Sequence, residues 1–385
     1  LEKTIMSIRR KVLGIALLTT VLAPASAMAW TRAYVADWIE PSFYYGGPKD
    51  GGAATNGTDC PTGLQKMDWD KLLITSYRGT DKVAEVRNAE YSRPGFLSHL
   101  GFRGPHKESL YESPTAIPDP GLVEVSGKLA EGLDLDGNPN NGFTGTNGEK
   151  GVDNAFYKVA GCLNLLRGRA KDGYAQKSAA ESMRNGETTV IMILSGEGDP
   201  MNDDNVQVGI FASKDRVVKD ANSGVISDLS YNLDRDGPST LFKARIKNGV
   251  LENIDRPTLK IDYSWRRYHR TIKPVELFES RVRLNMQADG TLNGVIGGYR
   301  EFIEHFFEIN QGEIITAAIN ENLGHIDMSG YYYSLRRNAD GLKDPVTGKN
   351  TGISTWYDVN WTPAFVTDPR DGKQITVAGL AMAGK

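Results

Sequence analysis

FKARIKNG, residues 242–249, carries the strand pattern in its plainest form: Phe242, Ala244 and Ile246 alternate with Lys243, Arg245 and Lys247, and the run ends at Asn248-Gly249. Successive side chains of a strand point to opposite faces, so one face here is apolar and the other cationic. Asn-Gly is the strongest short hairpin signal, because both residues tolerate the positive φ of a type I′ turn. The same period of two recurs on either side. Thr188 to Leu194 is a short apolar run, Val206 to Phe211 alternates, and Leu259, Ile261 and Tyr263 mark a further strand. Val282, Leu284 and Met286 alternate with Arg281, Arg283 and Asn285 before Asp289-Gly290 turns into Leu292 to Ile296. Strands this short and this closely spaced predict antiparallel sheets rather than βαβ units.

After Gly297-Gly298-Tyr299 the period changes to that of a helix. Phe302, Ile303, Phe306 and Phe307, then Ile314, Ile315, Ala318 and Ile319, predict two helices sharing an apolar face, and Tyr331 to Arg337 a third. Asn154 to Arg167 and Tyr174 to Met183 are also compatible with helix. The fold class expected is therefore mainly β, a β-sandwich or jelly roll with a helical appendage. One domain, residues 30–385, is expected to comprise an irregular wrap over 30–150, a sandwich core over about 186–298 and the appendage over about 299–338. The aromatics Tyr331, Tyr332, Tyr333, Trp356 and Trp361 are read as packing residues.

The N-terminal stretch has a different character. Arg9-Arg10-Lys11 precede an apolar run from Val12 to Leu22, and Ala27-Met28-Ala29 stand before Trp30. A basic start, a short apolar segment and a small-x-small site describe a secretory signal peptide over residues 1–29. The apolar run is short of the roughly 20 residues that a spanning helix needs. The chain is expected to be secreted or periplasmic, from a bacterium, with no transmembrane segment after cleavage. Cleavage removes four basic residues and one acidic residue, moving the formal charge from −3 to −6. An acidic chain argues against a nucleic-acid partner, which calls for a basic stripe and a pI above about 9. Two cysteines in an exported chain, Cys60 and Cys162, predict one disulfide.

Two acidic loops are candidates for metal. DLDGNPNNG, residues 134–142, is followed by Asp153 and Asn154. Calcium takes about six to eight oxygens from carboxylates, amides, carbonyls and water, which makes Asp134, Asp136, Asn138 and Asp153 a candidate calcium set. The loop is not an EF-hand, since that alignment places Gly132 and Phe143 at the first and twelfth ligand positions. The competing reading is a loop of Asx turns, its side chains capping their own backbone. Residues 197–204 bring Glu197, Asp199, Asp203 and Asp204 close in sequence, where solvation is the commoner outcome.

The blocks DLDG…GVDNAFYKVAGC (134–162), NDDNVQVGIF (202–211), DGTLNGVIGGY (289–299) and SLRRNADGLKDPVTGKNTGIST (334–355) together resemble a family of uncharacterised secreted bacterial proteins. The resemblance implies one integrated architecture. It carries over no activity and no catalytic residue.

YSWRRYHR, residues 263–270, combines stacking faces with fixed positive charge. Trp265, Arg267, Tyr268 and His269 are the candidate contact surface for an extracellular glycan, against the alternative of a strand end with half-buried aromatics. No HExxH pair and no GxSxG elbow occurs. Three functions follow: an exported binding or surface-associated protein, calcium-stabilised and glycan-contacting; a polysaccharide-active lyase or hydrolase using the Tyr, His and Arg of that cluster; or a structural envelope or filament subunit.

Overall fold

The computed structural model describes residues 29–44, 46, 59–65, 113–163, 183–186, 188–262, 274–309 and 328–377. The signal-peptide segment, the cluster at 263–270 and the predicted helix around Ile314 to Ile319 lie outside them.

The strands are β1 (Ala29–Pro41), β2 (Leu129–Ala130), β3 (Phe143–Gly145), β4 (Lys150–Val152), β5 (Thr189–Glu197), β6 (Asp203–Ser213), β7 (Leu229–Asn232), β8 (Ser239–Lys247), β9 (Val250–Asn253), β10 (Leu259–Ile261), β11 (Val275–Met286), β12 (Leu292–Glu301), β13 (Gly341–Lys343) and β14 (Asn350–Thr367). The helices are α1 (Ala155–Ala160), α2 (Phe302–Ile309) and α3 (Met328–Arg337). The chain is mainly β, as its alternation predicts.

The sheet is not half of a sandwich. Strands β1, β5, β6, β8, β9, β11, β12 and β14 pair in that order, every pair antiparallel, and β14 pairs back onto β1 from Ala33↔Ala364 to Pro41↔Tyr357. Eight strands thus close into a barrel in chain order. Strands β7, β10 and β13 add to it at the margins. The residues that close the ring are the ones whose sequence does not alternate: β1 falls in the segment expected to be an irregular wrap, and β14 lies beyond the expected core. Both are buried on both faces for much of their length, and such strands lose the polar/apolar alternation that marks a half-exposed strand.

The predicted hairpin joins β8 to β9, with Asn248 and Gly249 at φ 51° and 76°, both in the left-handed region. Phe242, Ala244 and Ile246 point into the lumen, which they fill with Tyr34, Met192, Leu194, Val208, Ile210, Leu251, Val282, Leu284, Ile296, Tyr357, Val359 and Trp361 among others. The lumen of an eight-stranded barrel is narrow enough for side chains to occupy it, and here it is a packed core. Lys243, Arg245 and Lys247 face outward. That polarity is the reverse of a lipid-facing barrel, whose outer band is apolar. No described helix is long and apolar enough to cross a membrane.

Three smaller cores sit on the outer wall. One packs α1, α2 and α3 with Phe43, Val125 and Ile353; here Cys60 and Cys162 stand at disulfide-bonding distance, with Cα atoms 5.9 Å apart. A second covers β1, β5 and β6 with Tyr231, Leu233, Val366, Ile375 and Val377. The third holds Leu133, Leu135, Tyr299 and Trp356, beneath the first acidic loop. The helical appendage is present, but β12 continues through Tyr299 and Arg300 to Glu301 before α2 begins.

Candidate metal centre

The small sheet β2-β3-β4 lies outside the barrel and frames residues 131–142. Leu133 and Leu135 are buried against Trp356 and Tyr299, so the side chains between and after them, Asp134 and Asp136, are left on the outer side of the loop. Gly132 makes this seating possible: its φ is +129°, and a Cβ there would stand 2.8 Å from the Trp356 ring. The barrel wall holds the loop by its backbone. Arg281 Nη1 donates to the Asp134 carbonyl at 2.7 Å, and Arg256 Nη1 donates to the Leu135 carbonyl. Below them Arg283 bridges Glu149 (2.8 Å) and Glu252 (2.9 Å), tying the β3–β4 turn to the same wall.

Asp153 enters from the other side, between β4 and α1. The next residue, Asn154, caps α1 by accepting the Tyr157 N–H at 3.1 Å. Trp356 Nε1 donates to the Asp153 carbonyl at 2.5 Å, and the Asp153 side chain, only 6% exposed, turns back to the loop. Its Oδ2 accepts the N–H groups of Leu135 (2.8 Å) and Asp136 (3.2 Å). Ligand atoms of Asp134, Asp136 and Asp153 thereby lie within 4.8 Å of one another.

Asn138, the fourth residue of the expected set, has its side-chain oxygen on the Asn140 N–H at 3.1 Å. Asp134 likewise accepts the Gly137 N–H at 2.6 Å, and Asp136 accepts from Asn138 N (2.8 Å) and Asn141 Nδ2 (2.7 Å). The Asx-turn reading therefore describes real bonds. It does not exclude a cation, because a carboxylate has about four acceptor sites and these bonds leave some open.

The electrostatics are those of crowded negative charge. Burial pushes the Asp153 carboxyl up to about 6; the two backbone N–H bonds oppose that, and the charges of Asp136 and Asp340 reinforce it. Asp340 is also raised, first by burial and further by Asp136, against bonds from Ser354 N (2.7 Å) and Oγ (2.6 Å). The Tyr299 phenol is pushed up by burial and then by Asp340, Asp153, Asp136 and Glu279. No described lysine or arginine forms an ion pair with Asp134, Asp136 or Asp153. The two nearby guanidiniums bond to main-chain carbonyls instead.

Asp340 and Tyr299 escape a sequence reading because they come from α3–β13 and from β12, and neither sits in a ligand-like pattern. Arg256 and Arg281 escape it too, although the outward alternation of Arg281 places it on the wall. The second acidic loop is not a comparable cluster. Asp203 Oδ2 accepts from Trp30 Nε1 (3.0 Å) and Glu197 N (2.8 Å), and Asp199 caps Met201 N (2.9 Å). Trp265, Arg267, Tyr268 and His269 lie outside the described residues.

No family model matches the chain, and no curated protein or solved structure matches it.

Proposed function

We propose that the protein is an exported binding module in which a closed barrel serves as a rigid scaffold, calcium stabilises the acidic loop on its wall, and Trp265, Arg267, Tyr268 and His269 contact an extracellular glycan. The observation that carries the calcium reading is Asp153. A buried carboxylate beside two others, with no cationic side chain paired to any of them, is unfavourable when ionised unless a proton or a cation offsets it. Calcium suits the donor set, being a hard ion that takes carboxylate oxygens and fills its remaining positions with water.

The glycan reading is supported by the chemistry of residues 263–270, which combine indole and phenol faces with guanidinium forks in a chain of net negative charge. Barrel closure weighs against the filament subunit, since it pairs both edges of the eight barrel strands and, among the described residues, leaves only the short strands β7, β10 and β13 at the margins and the small sheet β2-β3-β4 for strand addition. Export is supported by the signal-peptide pattern and by the cysteine pair at bonding distance.

Two measurements test the reading. Thermal denaturation in EDTA and in millimolar calcium should differ, because a ligand bound only by the native state stabilises it by about 2.7 kcal/mol at 100-fold excess over Kd. The difference should vanish in Asp134→Ala/Asp136→Ala. Coincident transitions for the wild-type chain overturn the calcium reading. For the ligand, a glycan array should show binding that Trp265→Ala and Arg267→Ala remove; an empty array, or variants that bind as well as wild type, makes the cluster a packing feature.

A further inference from the structure

A cavity of about 330 Å³ opens where the start of β11, the end of β12 and the first turn of α2 meet, lined by Pro274, Glu276, Phe278, Arg300, Glu301 and Glu304. It is at the small end of the ~300–1,000 Å³ typical of ligand pockets. Three of the six described lining residues are carboxylates.

The guanidinium among the described lining residues is anchored inward. Arg300 is buried, and its Nη1 lies 3.4 Å from the Tyr357 hydroxyl and 3.5 Å from His305 Nδ1. His305 Nε2 is 2.8 Å from Thr355 Oγ1, whose own proton goes to the Ile353 carbonyl at 3.1 Å. The threonine therefore accepts from Nε2–H, and Nδ1 offers its lone pair to the guanidinium. Glu276 pairs with Lys260 Nζ at 3.1 Å on the outside of the wall. The Thr351 hydroxyl lies 3.2 Å from Glu301 but gives its proton to the nearer Leu342 carbonyl at 2.8 Å, which leaves the Glu301 charge to act on the cavity. Phe278 and Pro274 supply an apolar side.

We propose that this cavity binds a small molecule bearing a protonated primary amine, with Glu301 as its principal partner, Glu304 and Glu276 beside it, and the carbon skeleton against Phe278 and Pro274. An ammonium group gains charge-assisted bonds from the carboxylates and an attractive aromatic face. An anionic ligand is repelled by the Glu301 carboxylate, and a neutral one gains only ordinary hydrogen bonds. The amine can belong to an amino sugar or to a polyamine.

Calorimetric titration of the full chain with glucosamine, putrescine, glucose and glucuronate tests this. At least one of the two amines should bind at least tenfold more tightly than glucose, and glucuronate should bind no better than glucose. Tighter glucosamine assigns the site to amino sugars, and tighter putrescine to polyamines. Glu301→Gln keeps the size of the side chain and removes its charge, and should weaken amine binding at least tenfold, whereas Asp289→Asn, in the turn at the far end of β11 and β12, should leave it unchanged. Should Glu301→Gln not fold, Glu276→Gln is read in its place, with weakened binding again expected. No saturable binding of either amine, glucose or glucuronate binding as tightly as both, or unaltered binding in the folded glutamine variant overturns the proposal.

Discussion

Asp153 and His305 are two side chains whose burial makes stability depend on pH, and they act in opposite directions. The Asp153 carboxyl titrates near 6 in the fold against about 3.9 in an unfolded chain, so the native state holds the extra proton between those values. Its contribution favours the fold in acid and is lost as pH rises through about 6. His305 is stacked on Phe156 with ring centroids 4.0 Å apart, and burial followed by the charge of Arg300 holds it well below 6.5. The unfolded chain takes up that proton first, so stability falls as pH drops below about 6.5. In EDTA, Asp153→Asn should therefore melt higher than wild type at pH 7.5, with the gain shrinking toward pH 4. The same substitution should abolish the response to calcium. Melting curves across pH 4–8 check both statements, and a variant that melts lower at pH 7.5 contradicts the first. His305→Gln should remove the contribution of this group to any loss of stability below pH 6.5.

At the scale of elements, the acidic loop depends on the wall that carries it. Arg281 lies on the outward face of β11 and supports the loop through the Asp134 carbonyl, so Arg281→Ala should weaken calcium binding without touching a carboxylate. A calcium titration that is unchanged in this variant would show the loop to be rigid by itself. The cysteine pair belongs to this scale as well. It links the segment before the loop to the end of α1 across 102 residues, a closure that chain entropy values at about 4.7 kcal/mol. Intact-mass measurement should find no alkylated thiol before reduction, and reduction should lower the melting temperature of the whole chain. The helices and the loop were legible in part: Asn154 heads α1 as a cap, and the period change near Tyr299 marks the entry to α2 within a few residues. The three-stranded sheet β2-β3-β4 was not, because strands of two or three residues contain too few positions to show a period.

The whole molecule is organised by a ring whose seam is β1 against β14. Trp361 stands at that seam, paired with Ala36 on one side and Leu292 on the other, and its ring is fully buried in the lumen. Trp361→Ala should cost about 3–5 kcal/mol, measured by denaturant unfolding, and the loss should appear in one cooperative transition because β1 and β14 unite the two ends of the chain. A loss below about 1 kcal/mol would mean that the lumen is not one packed core. Phe242, Ala244 and Ile246, with Asn248-Gly249 after them, determined a β-hairpin with one apolar and one charged face, and Asp134, Asp136 and Asp153 announced a polar loop suited to a hard cation. Those properties are local, set by alternation, turn chemistry and side-chain type within a few residues. Only the tertiary structure decided that the apolar faces line a closed barrel rather than the interior of a sandwich. A strand with one buried face reads the same in either, and closure rests on a pairing between Ala33 and Ala364, more than 300 residues apart. It likewise brought Asp340 and Tyr299 to the acidic loop, and Glu276, Arg300 and Glu304 to one cavity, because they come from different elements that only strand pairing and packing set side by side.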